Sequence, residues 1–286
     1  MKPTIWITGA GGLIGNYLAQ IAPNHAPDFQ ARGLTRAILE LTDFAAVERA
    51  FKAEKPAGII HCAALSRTPE CQARPDFARQ INVDATRVLA ELAADIPFVF
   101  FSSDLVFDGE RGNYDETAAV NPIMVYAETK VAAEEIVLRN PAHTVIRTSL
   151  NAGVSPTRDH AINEQLLLAW RAGKTLRLYN DEFRSPIAAE VTARATWELY
   201  KLNRPGVFHL AGSERLSRWQ IGSVLLQKHP EFAAQLEAGS RKENTGTPRP
   251  PDTSLNCDKI RKLLSFRLPG FTEWMAANPE SLRADW

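Results

Sequence analysis

The stretch Thr8-Gly9-Ala10-Gly11-Gly12-Leu13-Ile14-Gly15 decides the fold of this chain. It follows a short β-rich run, Thr4 to Thr8, and opens a helical stretch from Leu13 to Ile21. The glycines at 9, 12 and 15 fall where a strand must turn sharply into a helix. Such a turn lets the backbone approach a pyrophosphate. The helix start then offers free N–H groups and the positive end of its dipole. The backbone of Gly9, Gly12, Leu13, Ile14 and Gly15 is therefore the candidate phosphate cradle. Ile14 breaks the commoner G-x-G-x-x-G spacing, and a tight turn without a ligand is the plain alternative. A strand before it and a helix after it favour a dinucleotide.

Working outward, strand and helix signals alternate. Gly33-Leu34-Thr35 reads as the end of a second strand, and Asp43 to Lys52 as a helix. Gly58 to Ala63 is a continuous apolar run, as expected of a strand buried on both faces of a parallel sheet. Asn82 to Ala94 reads as a helix, Phe98 to Ser103 as a strand, Val125 to Arg139 as a helix and Thr144 to Arg147 as a strand. Repeated βα units imply an α/β fold with a doubly wound parallel sheet. The second half has a helix and a hairpin-like strand (Leu176 to Tyr179), helices over 190–201 and 216–228, and a loop over 240–253. Val207 to Leu210 is placed to return to the sheet. The expected division is 1–150 with 185–212 in the sheet domain, and 151–184 with 213–286 in a smaller α/β lobe.

The chain has 286 residues, with Lys+Arg 33 and Asp+Glu 33, so the formal net charge is zero. That argues against a broad electrostatic grip on nucleic acid or an anionic membrane. No apolar run approaches the ~18 residues of a membrane helix, and no signal peptide is evident. Cys62, Cys71 and Cys257 cannot all pair and form no CxxC pattern, so reduced thiols in a cytoplasmic protein are expected. No His/Cys/Asp/Glu cluster has metal-ligand spacing, so no metal is expected.

Three further features carry chemistry. Where an NAD site usually has an acid at the second strand end, this chain has Thr35-Arg36. A hydroxyl and a guanidinium suit a 2′-phosphate, which favours NADP(H) and leaves NAD(H) open. Asp43 faces the adenine or caps its own helix. Tyr126 and Lys130 form Y-x-x-x-K, which places both on one helix face. A phenol ordinarily titrates near ~10, and a neighbouring ammonium favours its ionised form. Ser103 lies just beyond a strand, where ligands of a parallel sheet sit, and can donate to a carbonyl oxygen.

In this order the glycine turn, Ser103 and Tyr126/Lys130 resemble the extended short-chain dehydrogenase/reductase superfamily, which has a Rossmann-type sheet. Ser102 to Gly109, Asn121-Pro122 through Lys130, Arg147-Thr148-Ser149, Phe208-His209-Leu210 with Trp219, and Arg249-Pro250 through Asn256 are similar to one branch, the dTDP-4-dehydrorhamnose reductases. The resemblance covers nearly the whole chain. It implies a cofactor lobe and a C-terminal lobe for a nucleotide sugar. Tyr126 would be the general acid and Ser103 the carbonyl polariser, with Lys130 tuning Tyr126 and holding the nicotinamide ribose. Asn82 and the strand-end Ala63-Ala64 would lie against the cofactor.

Asp104, Leu105, Leu150, Arg184 and Arg249 are the substrate-side candidates. Leu105 and Leu150 replace the family's usual Tyr and Trp, which removes aromatic surface and a hydroxyl from the sugar side. Arg184 and Arg249 are candidates for a diphosphate, against ordinary surface arginines, the plainer expectation for Arg184. The expected activity is NADP(H)-dependent reduction of a keto group on a sugar or nucleotide sugar, with a homodimer left open. The alternatives are a nucleotide-sugar epimerase or dehydratase, or a non-catalytic NADP-binding regulatory subunit like that of methionine adenosyltransferase.

Overall fold

The structure is a computed structural model and describes residues 2–279, so residues 280–286 of the expected C-terminal lobe lie outside it. The chain runs β1 (Thr4–Thr8), α1 (Leu13–His25), β2 (Gln30–Leu34), α2 (Phe44–Glu54), β3 (Gly58–His61), α3 (Thr68–Ala73), α4 (Pro75–Arg79), α5 (Ala85–Leu92) and β4 (Phe98–Ser103). It continues through α6 (Val125–Val137), β5 (Thr144–Thr148), β6 (Asn151–Ala152), α7 (Ile162–Arg171), β7 (Leu176–Tyr179), β8 (Phe183–Arg184) and β9 (Ile187–Ala188). Then come α8 (Ala189–Leu202), β10 (Gly206–Leu210), β11 (Leu216–Ser217), α9 (Arg218–Leu226) and β12 (Leu236–Gly239).

Six strands form one parallel sheet in the order β10-β5-β4-β3-β1-β2. Alternation along β1 splits the core between two faces. Ile5 and Ile7 pack with Ile60, Phe101, Ile146 and Phe208 against α1 and α8. Trp6 packs on the other face with Ile59, Phe98, Phe100 and Val145 against α2, α5 and α6. Trp197 of α8 donates its indole N–H to the Leu18 carbonyl of α1 at 3.0 Å, which satisfies a polar atom inside that layer. A third apolar cluster joins α7 (Leu166, Leu167, Trp170), α9 (Ile221, Leu225) and Phe271, Trp274 and Met275 near the C-terminal end.

Val207–Leu210 does return to the sheet, pairing in parallel with β5. Three expectations change. Leu176–Tyr179 makes no hairpin: it pairs in parallel with Leu236–Gly239, a partner 60 residues away in register. The helix expected over 216–228 starts at Arg218, because Ser217 caps it with Gln220 and Leu216–Ser217 pairs antiparallel with β8. The helix expected from Asn82 begins much earlier, as α3 and α4, with Pro75 opening the second piece and a π-turn over Gln80–Asp84 before α5. The segment 240–253 is a loop, as expected, and it is held to the rest of the chain at several points. Pro250 is buried, Asp252 donates its N–H to the Gly109 carbonyl, and Phe183 donates its own to Pro251.

Candidate active site

The strand ends carry the site. At β1, Gly9 has φ +69, and a Cβ there would stand 2.6 Å from the Ala63 nitrogen. A Cβ on Gly15 would stand 2.5 Å from the Gly9 carbonyl oxygen, so the first turn of α1 is pressed onto the strand end. Gly12 starts α1 without a side-chain cap and without an acid in the first turn. The helix therefore presents unsatisfied N–H groups and no competing carboxylate, which fits a phosphate. Leu13 is buried and Ile14 half-buried behind this turn.

Thr35 lies beside the glycine turn, its methyl 3.8 Å from where a Cβ on Gly11 would sit. Arg36 is exposed, with Nε 3.1 Å from the Glu40 carboxylate. Asp43 caps its own helix: its carboxylate accepts from the Ala46 N–H at 2.9 Å. Ala63 and Ala64 follow β3, opposite Gly9.

Asn82 sits in the π-turn, 1% exposed. Its oxygen accepts from the Leu65 N–H at 2.7 Å, and its amide donates to the Leu65 carbonyl and to Thr129 Oγ1. Thr129 in turn donates to the Tyr126 carbonyl. Asn82 thus ties the β3 loop to the helix that carries Tyr126.

A second neutral chain runs behind it. Thr86 gives its hydroxyl proton to the Asn82 carbonyl at 2.7 Å, so it can only accept from His61 Nε2 at 3.0 Å. His61 Nδ1 must then accept from Thr8, 2.6 Å away. Burial holds the His61 imidazolium down to about 3, and the Lys130 charge pushes it the same way, so the ring is neutral.

Tyr126 is half-buried on α6, and Ser103 is 8% exposed at the end of β4. Lys130 is 2% exposed, with its ammonium 4.0 Å above the Phe100 ring. Burial lowers Lys130 to about 7, against the pull of Glu134. The expected lowering of the Tyr126 phenol by Lys130 does not hold: burial raises it, outweighing the Ser103 hydroxyl and Arg184, which lower it.

The substrate-side candidates divide. Asp104 is fully buried and engaged by other side chains, so it faces no open space. Arg184 is not a surface arginine. It is 5% exposed, and its Nε donates to Asp104 at 2.7 Å. Leu105 packs with Met124, Ala127 and Tyr126, directly beside the candidate acid. Leu150 joins the α7–α9 cluster instead. Arg249 is half-buried, 3.7 Å from Glu182.

Glu182 and Arg218 escaped the sequence reading. Glu182 is 1% exposed, with no hydrogen-bond partner on either oxygen. Burial pushes the Arg218 guanidinium down to about 10, partly offset by Glu182. The one sequence signal was the charged string Asp181-Glu182-Phe183-Arg184 just before Ser185-Pro186. Among the described residues, no group of three or more His, Cys, Asp or Glu could hold a metal ion. No helix among them is long and apolar enough to cross a membrane.

Methionine adenosyltransferase 2 subunit beta of Xenopus laevis is 29% identical over 271 residues, covering 90% of this chain and 81% of that protein. A dTDP-4-dehydrorhamnose reductase of Sinorhizobium fredii is 27% identical over 282 residues, covering 93% of each. The crystal structure of dTDP-4-dehydrorhamnose reductase from Bacillus anthracis in complex with NADP superposes with a TM-score of 0.86 at 21% identity, covering 97% of this chain and 98% of that one. The family model described as the RmlD substrate binding domain matches residues 1–283. With its parallel sheet, glycine turn and strand-end serine facing the Tyr126 helix, the chain belongs to the RmlD substrate binding domain family.

Proposed function

We propose that this protein is an NADP(H)-dependent oxidoreductase of the short-chain dehydrogenase/reductase type that reduces a keto group on a sugar or nucleotide sugar. One observation carries the reading: Ser103 at the end of β4 is within hydrogen-bonding reach of Tyr126, Lys130 is buried one turn along the same helix, and the glycine turn at the end of β1 opens a helix start free of acids. Residues 1–150 with 185–212 would form the cofactor lobe, and the rest the substrate lobe. Gly9, Gly12, Leu13, Ile14 and Gly15 would cradle the pyrophosphate. Thr35 and the unpaired edge of Arg36 would meet a 2′-phosphate, with Ala63, Ala64 and Asn82 lining the same groove. The cofactor supplies a hydride.

The chain's own residues manage the proton. The Ser103 hydroxyl holds the substrate carbonyl oxygen, and Tyr126 gives that oxygen its phenolic proton. Lys130 would hold a ribose hydroxyl, and the negative charge of a bound cofactor would favour its ammonium form. Leu105 leaves an apolar wall next to Tyr126. Arg249 and Arg218 are placed for an anionic tail such as a diphosphate. A dehydratase needs a free acid to protonate a departing hydroxyl. The carboxylate nearest Tyr126 is Asp104, whose oxygens are already taken, which favours the reductase.

NADPH consumption against a panel of nucleotide-linked keto sugars tests this. Tyr126→Phe should lower turnover by about 10²–10⁴-fold, and turnover unchanged by that substitution would refute the mechanism. The likeness to methionine adenosyltransferase 2 subunit beta favours a second reading, a non-catalytic cofactor-binding subunit. Silence across the panel together with a stoichiometric partner in pull-downs would select it.

A further inference from the structure

We propose that Arg184, anchored by Asp104, is a positioning residue that reaches from the substrate-binding side and sets the hydrogen-bonding and charge state of the Ser103–Tyr126 pair. The proposal rests on the reductase reading for its catalytic meaning. Its geometry stands independently.

Asp104 follows Ser103 in the chain and has no exposed surface. Its carboxylate collects donors from distant segments. Arg184 donates from Nε at 2.7 Å and from Nη2 at 2.5 Å. Ser149, just past β5, donates at 2.6 Å, and Thr253, in the long loop, at 3.3 Å. Ser103 itself donates at 3.2 Å and accepts from the Leu105 N–H. The proton that Ser103 needs for a substrate carbonyl is therefore shared with a buried carboxylate. An uncompensated Asp104 would hold that proton more tightly and would oppose negative charge on the neighbouring phenol.

Arg184 supplies the compensation. The ionisable groups that face Tyr126 from other elements are Asp104, Cys71 and Arg184. Lys130 stands one turn along the same helix. The Lys130 ammonium is weakened by burial, whereas a guanidinium stays charged at every working pH. Arg184 is thus the permanent cation of the acid site. Its other edge lies 3.9 Å from Glu182, which also meets Arg249, so the same side chain joins the acid site to the arginine cluster.

The two charges predict shifts of opposite sign. The test follows the ¹³Cζ resonance of Tyr126 against pH in protein loaded with NADP+, assigned by its loss in Tyr126→Phe. The pH profile of turnover is measured in parallel. Arg184→Met should raise the phenol titration by about one unit or more, with a loss of reductive turnover of about threefold at neutral pH, since an already protonated acid loses rate only by becoming a weaker donor, and with an unchanged KM for NADPH. Asp104→Asn should lower the titration. Arg184→Lys should recover part of the loss, and the double variant Arg184→Met/Asp104→Asn should return toward the wild type. Single variants that fold yet leave the resonance and the profile at wild-type values would overturn the proposal. If Arg184→Met does not fold, Asp104→Asn decides: an unmoved or raised titration overturns it. The resonance is readable without turnover. A wild type silent on every keto sugar would sink the reductase reading, and the resonance would still decide this one.

Discussion

The two sides of Tyr126 are built on different electrostatic plans. On the glycine-turn side, Thr8, His61, Thr86, Asn82 and Thr129 form neutral chains in which donors meet acceptors. On the other side, Asp104, Glu182, Arg184, Arg218 and Arg249 are charged residues, and neither carboxylate oxygen of Glu182 has a hydrogen-bond partner. A saturated neutral network stays rigid and holds one geometry. A buried carboxylate left short of donors is costly unless its surroundings change on binding. The first plan suits a cofactor that is always the same, and the second an anionic ligand that comes and goes.

Acid should act through two histidines that burial keeps neutral, His61 on the glycine-turn side and His209 on the edge strand β10. His61 is held to about 3 and His209 to about 4, mainly by burial, against 6.5 for each when free. Between those values the unfolded chain takes up protons that the folded one refuses. Stability is therefore full above pH 6.5 and falls as the pH drops. Moving to pH 5 should remove about 2 kcal/mol per histidine in urea unfolding. In His61→Asn, the acid-dependent part of the loss should shrink by about half. An unchanged slope would break the neutral plan.

Asn82→Ala should cost about 3 kcal/mol at neutral pH, because it strands the Leu65 N–H, the Leu65 carbonyl and Thr129 inside the protein. Asp43→Ala removes only a cap, and about 1 kcal/mol should disappear, with NADPH affinity unaffected. Adenine-linked loss of affinity would reinstate the other reading of Asp43. Glu182→Gln should change stability by less than about 1 kcal/mol, since lost attraction is offset by relief of an unsatisfied burial. The same substitution frees arginines, so calorimetry should show tighter binding of a nucleoside diphosphate. A large stability loss with no change in binding would make the charged side purely architectural.

The sheet was legible because burial on both faces leaves continuous apolar runs, as in Gly58 to His61 and Phe98 to Phe101. The glycine turn was legible because close backbone approach restricts residue type at fixed spacing. Helices α3 and α4 were hidden by Pro69, Pro75 and a short, mostly polar composition. The charged cluster was illegible for a different reason. Asp104 and Arg184 lie 80 residues apart, and no periodicity links residues that meet only through tertiary packing. Arg184 taken singly looked like a solvated cation, and only its partner reveals that it is not.

The sixth strand has a consequence for how the molecule can be divided. Residues 206–210 close the sheet beside β5 only after the chain has left the sheet and built β6 through α8. A truncated chain ending near residue 150 would keep the glycine turn and Tyr126 but leave β5 with a bare row of amides and carbonyls along one flank. Such a flank invites pairing between molecules. The N-terminal half is therefore no detachable cassette, and fusing or swapping it at residue 150 should yield aggregates rather than an independently folded unit.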